Sequence, residues 1–146
     1  MEITKSLTDF FQSTISPLVL ISGVGLILLS LTNRLARTID RSREMVTEIQ
    51  NDTSNDKESK RIQLRILVKR SYFLKYSITA ISFSILSSSL IIPILLTMYL
   101  FQVDLSLLGK LFFLLSVVGI IFSAVFLFID VSFTLKALEI EVKDHL

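Results

Sequence analysis

Cysteine is absent from these 146 residues, so no disulfide, thiolate nucleophile or cysteine-based metal site is available. Histidine occurs once, as His145 in a charged tail, where a solvated side chain is the expected role and a metal ligand is not. Glycine occurs four times and never as a phosphate-binding loop, and there is no H-E-x-x-H and no nucleophile beside a histidine base. The apolar stretches hold no paired carboxylates, and no general base stands near their serines. These absences predict a protein that is not an enzyme and carries no cofactor and no metal.

Charge is also scarce, at 19% of residues against 51% hydrophobic, and the mean hydropathy is +0.68. The apolar residues come in three long blocks instead of at core spacing, which makes lipid the expected solvent and the bilayer the first partner. The length suits one small domain. Nucleic acid is not expected as a partner, because basic residues beside an apolar span serve orientation.

The chain is organised around Leu26–Arg43, LILLSLTNRLARTIDRSR, where hydrocarbon turns basic at Asn33-Arg34 with no Gly or Pro between. A membrane surface therefore falls inside one continuous helix. Before it, Ile3, Leu7, Phe10 and Phe11 give residues 1–14 one apolar face, suited to a periplasmic amphipathic leader. Ser16-Pro17 reads as an N-cap with Pro at the first helical position, opening a first span over 15–33. The basic residues follow this span instead of preceding it, which argues against a cleaved signal peptide.

Beyond the membrane, Leu31, Leu35, Ile39, Ser42, Val46 and Ile49 continue one mostly apolar face. The turn-forming run Asn51–Asp56 ends it, and Ile62, Ile66, Lys69 and Phe73 form the face of a second helix from near Lys57. Residues 34–76 thus read as an antiparallel helical hairpin. The second span, 77–101, holds no charge and has Tyr76 at one end and Tyr99 at the other. An outer turn over 102–106 leads to a third span, 107–130, and a tail, 131–146, with a short charged helix from Lys136 to Asp144. The expected fold is an all-α membrane protein of three transmembrane helices, the first two extended into the hairpin. Of the 15 Lys and Arg residues, 11 lie between Arg34 and Lys75. The positive-inside rule then puts the hairpin and C-terminus in the cytoplasm and the N-terminus outside.

The stretch Thr32-Asn33-Arg34-Leu35-Ala36-Arg37-Thr38-Ile39-Asp40-Arg41-Ser42-Arg43 resembles the corresponding motif of a bacterial three-span inner-membrane family, domain of unknown function 2721. In that family a Pro-led first span runs into a basic N-R-L-A-R-x-I-D-R-x-R stretch, and a Ser-rich second span follows. The resemblance covers Pro17 to about Leu138. It implies three spans in a bacterial inner membrane and supplies no activity. Where the family carries a basic residue near the end of the third span, this chain has Phe128-Ile129-Asp130-Val131.

Two polar patterns are candidate sites. On the first helix Ser16, Gly23, Ser30, Arg37 and Glu44 recur every seven residues, with Asn33 and Asp40 beside them. Small residues let helices approach closely in lipid, so the structural expectation is a packed interface. The functional expectation is an axis in a homo-oligomer, a pore for ions with Asn33, Arg37 and Asp40 at its cytoplasmic mouth. Arg37 and Asp40, three apart, can pair along the helix. The second pattern is weaker. The second span is studded with hydroxyls on several faces, Ser82 and Ser89 among them. The third carries Ser116, Gly119 and Ser123, then Asp130, for which capture of an arginine is the structural expectation. A homo-oligomeric channel and a non-conducting accessory protein that binds a partner through the hairpin both remain open.

Overall fold

The computed structural model describes residues 2–51 and 57–143, with side chains described at 7–51 and 57–134. Three helices occupy the described residues and no strand occurs among them: α1 (Glu2–Asn51), α2 (Lys57–Phe101) and α3 (Ser106–Lys143). All three are long and apolar enough to cross a membrane, over Leu7–Asn51, Lys57–Phe101 and Ser106–Thr134. By length and composition this is a multi-pass membrane protein. The turn expected after Asn51 lies outside the described residues, as does His145.

Two expected breaks are absent. Ser16-Pro17 does not open a helix: α1 runs through both, with Pro17 inside it. Proline fixes φ near the helical value, so it removes one backbone donor without forcing the chain to turn. Nor is the expected charged helix from Lys136 separate from the third span, since one helix runs from Ser106 through Asp130 to Lys143. No Gly or Pro lies between Asp130 and Lys143, and a charge ends a hydrophobic run without ending a helix.

Between α2 and α3 the turn is built from local bonds. Gln102 takes a left-handed backbone (φ 54°), and its N–H donates to the Met98 carbonyl at 3.1 Å, closing α2. The Asp104 carboxylate accepts the Ser106 N–H at 3.0 Å, starting α3. The bonds from Ser106, backbone first and then side chain, hold the Asp104 carboxyl below its usual range, with Lys110 adding to the effect.

Within the apolar stretches of the helices the interior is more polar than the surface. Among the described residues the buried hydrophobic side chains are six, Val24, Leu31, Met45, Leu74, Ile81 and Ile91. The buried polar ones are eight: Thr38, Ser77, Ser84, Ser87, Ser88, Ser116, Ser123 and Asp130. Large apolar side chains such as Leu26, Phe83, Phe122 and Phe128 stand more than half exposed. Water would reverse that distribution. Lipid permits it, because small hydroxyl residues bring helices close while hydrocarbon faces outward.

The residues divide into two compact units, and each helix contributes a segment to both. The first holds residues up to Leu28 and Thr79–Phe122, with Val24, Ile81 and Ile91 at its centre. In it the Phe10 ring meets Tyr99 at 5.2 Å. The second holds Leu29–Ile78 and the chain from Ser123, packed on Leu31, Met45 and Leu74. Its rings pair as Phe73 with Phe133, stacked at 5.4 Å, and Tyr76 with Phe126 at 5.7 Å. Along α1 the buried side is a strict seven-residue series, Pro17, Val24, Leu31, Thr38 and Met45. That spacing is the seam of a left-handed supercoil.

Candidate functional site

In the second unit the Asp130 carboxylate has no solvent exposure and takes an arginine from each of the other two helices. Arg34 of α1 donates from Nη2 to Oδ2 at 3.3 Å, and Arg70 of α2 donates from Nε to Oδ1 at 3.3 Å. One carboxylate thus joins three helices. A buried ion left without partners would cost several kcal/mol, so these contacts are what lets Asp130 sit inside. Beside the cluster the Lys69 ammonium lies 4.8 Å over the Phe133 ring.

One heptad further along α2, the Ser77 hydroxyl donates to the Ser123 carbonyl at 2.8 Å and lies 2.9 Å from its hydroxyl. In the first unit Ser84 repeats the motif, bonding the Ser116 carbonyl at 2.7 Å and meeting its hydroxyl at 2.9 Å. Ser88 also reaches the Ser116 hydroxyl. Each seven-residue step forward in α2, from Arg70 to Ser77 to Ser84, matches a seven-residue step back in α3, from Asp130 to Ser123 to Ser116. The two helices are antiparallel with a register set by polar pairs. Gly119 permits the approach: a Cβ there would lie 3.0 Å from the Ala80 carbonyl oxygen and 3.0 Å from the Ser84 Cβ. Among the described residues no buried side-chain N or O lacks a hydrogen-bond partner.

Of the candidates read from the sequence, Ser116, Gly119, Ser123 and Asp130 come together on this seam. Ser82 and Ser89 do not; both are exposed on α2, and the seam uses Ser77, Ser84 and Ser88 instead. Arg70 and the seam serines of α2 carried no distinguishing signal of their own, because α2 bears hydroxyls on several faces and the register of α3 selects among them. The α1 stripe is placed differently. Ser16, Gly23, Ser30, Asn33, Arg37, Asp40 and Glu44 are all exposed, and a Cβ on Gly23 would meet nothing within 4 Å. This stripe lies one residue before the buried series of α1, so it turns about 100° away from the chain's own packing. Arg37 and Asp40 are not the ion pair on this surface. Arg41 fills that role, 3.1 Å from Glu44 and 3.5 Å from Glu48. Among the described residues no group of three His, Cys, Asp or Glu could hold a metal.

The model of a family described as Protein of unknown function (DUF2721) matches residues 14–140. The chain belongs to this family. The family match contains the whole α2–α3 seam and both arginines of the Asp130 cluster, whereas most of the leader falls before it. No curated protein and no solved structure matches the chain. The family's description assigns no activity, so a functional reading has to come from the residues.

Proposed function

We propose that this family member is a non-enzymatic membrane protein that assembles into a homo-oligomer through α1, with the polar stripe turned toward the oligomer axis as a path for ions. The observation that carries this reading is the exposed stripe itself. It combines a glycine in open space with hydroxyls in the apolar run and Asn33, Arg37 and Asp40 just past its end. Against lipid such a face gains little; against copies of itself it gains close backbone approach and polar pairing. The α2–α3 seam is a poor path by comparison. Its hydroxyls bond one another or a carbonyl and fill the space between the helices. In this reading the protein sits in a bacterial inner membrane with the N-terminus outside and the hairpin and C-terminus in the cytoplasm. The concentration of basic residues between Arg34 and Lys75 is the support for that orientation.

The test is sizing in mild detergent followed by ion flux from reconstituted vesicles. A complex larger than one chain together with flux supports the reading, and a silent monomer ends it. Orientation is checked separately with single cysteines in place of Asn51 and Val103, both exposed. An impermeant thiol reagent added to intact cells should label position 103 and spare position 51.

A second reading rests on a cleft of about 700 Å³ in the second unit. Leu35, Ile39 and Val46 of α1 line it with Leu64 and Val68 of α2, and Arg43 and Lys75 add basic groups. A non-conducting accessory protein would hold a partner's apolar side chains there. Flux measured on the same vesicles separates the two readings.

A further inference from the structure

The Asp130 cluster carries more positive charge than its role as a clamp requires. Two guanidiniums meet one carboxylate, and each uses a single nitrogen: Nη2 of Arg34 and Nε of Arg70, both at 3.3 Å. Neither makes the two-pronged contact that arginine forms with a carboxylate when it is fully engaged. Among the described residues, no second acid pairs with either arginine. One positive charge and most of the guanidinium N–H donors of this cluster therefore have no acid to engage among the described residues.

The cluster's place in the chain says where that charge is presented. Arg34 is the first charged residue after Asp9 on α1, and Asp130 is the first after Lys110 on α3. Both stand where an uncharged run ends, and Arg70 lies on α2 shortly before its own run begins. In a bilayer that is headgroup depth, where the anions are phosphates. The Arg34 side chain is 37% exposed and Arg70 19%, so the buried Asp130 holds the arginines from within while their outer edges stay accessible.

We propose that Arg34 and Arg70, positioned by Asp130, bind a phosphate group of the kind an anionic phospholipid carries. The carboxylate fixes one edge of each guanidinium, which lowers the ordering cost of presenting the other edge to a phosphate. Free inorganic phosphate shares this chemistry, and the experiment separates the two sources.

The full-length protein is purified in neutral detergent and titrated with phosphatidylglycerol, phosphatidylcholine or inorganic phosphate. Bound ligand is counted by native mass spectrometry at a temperature where every variant is folded. Wild type should retain phosphatidylglycerol at least about tenfold more tightly than phosphatidylcholine, a preference that charge-assisted bonds to phosphate supply. Arg34→Gln should lose most of that preference, and Arg34→Lys should keep part of it, having the charge without the fork. Lys110→Gln, at the far end of α3, should bind like wild type. If inorganic phosphate competes with phosphatidylglycerol at similar concentrations, the site is one for the free anion; if it does not, the lipid is the ligand. Equal retention of the two lipids by wild type would overturn the proposal. So would an Arg34→Gln variant that binds phosphatidylglycerol undiminished, or a loss in Lys110→Gln as large as in Arg34→Gln. A purely structural clamp would alter thermal stability in the arginine variants and leave the lipid preference of the folded protein unmoved.

Discussion

The α2–α3 seam and the α1 stripe are written in the same code and come to opposite ends. Both are small and polar residues at seven-residue spacing, both run through apolar sequence, and both include a charge where that sequence ends. On α2 and α3 the two series meet each other. Serine pairs with serine, Asp130 takes two arginines, and the seam residues are buried (Arg70 is part-buried). On α1 the series beside it, Pro17 to Met45, is the one that packs, and the polar stripe is left outside. Periodicity says that residues share a face. It does not say whether the face has a partner in the same chain, because that depends on a matching series elsewhere at the right register.

Removing Asp130 should break the seam most. Asp130→Ala leaves Arg34 and Arg70 without their anion, and because both arginines are part-exposed the loss is that of hydrogen bonds to a charged group, about 1.5–3 kcal/mol. Unfolding followed by circular dichroism in a detergent–denaturant titration should show that loss. The corresponding change on α1, Asp40→Asn, should stay within about 0.5 kcal/mol, as surface substitutions do. If the two cost the same, the contrast between the regions is wrong.

The glycines sharpen the comparison. Gly119→Leu forces atoms into the Ala80 carbonyl and Ser84, and overpacking of this kind costs about 1–3 kcal/mol in chain stability. Gly23→Leu meets nothing within the chain, so the fold should keep its stability while any assembled complex loses mass in detergent. A stability loss from Gly23→Leu in a preparation already monomeric would contradict the exposed placement of the stripe.

Smaller effects follow in the hydroxyls. Ser116→Ala removes a partner from both Ser84 and Ser88, at about 0.6–1.7 kcal/mol for an interhelical bond in a membrane. A double-mutant cycle with Ser84→Ala should give a coupling of the same size, whereas Ser30→Ala with Ser84→Ala should simply add. Smallest in stability are Arg37→Gln and Asp40→Asn. In reconstituted bilayers these should shift the reversal potential in opposite directions, Asp40→Asn toward anions, because a ring of fixed charge sets the local concentration of each sign.

The sequence was most informative where one physical rule acted alone. Hydropathy and length marked three spans, since an apolar segment of that length satisfies its own backbone in lipid, without strand partners, only as a helix. The third-span pattern Ser116, Gly119, Ser123, Asp130 was also legible, as was the need of Asp130 for an arginine. Which arginines was not legible, because Arg34 and Arg70 are 96 and 60 residues away and only the packed register selects them. For the same reason Ser82 and Ser89 could not be told from Ser77 and Ser84: α2 carries hydroxyls on several faces, and the choice is made by α3. Pro17 misled because its local preference for a helix start is weaker than the continuity of the helix around it.

Disulfide trapping in native membranes tests the contrast most directly, since the chain has no cysteine of its own. Gly23→Cys should cross-link two copies on mild oxidation, as a helix interface brings the two backbones within disulfide reach, about 4.4–6.8 Å between Cα atoms. Ser77→Cys combined with Ser123→Cys should instead close within one chain and give no dimer. A dimer from a cysteine on an outward apolar position of α3 such as Val125, with none from Gly23→Cys, would contradict the account and move the assembly face away from α1.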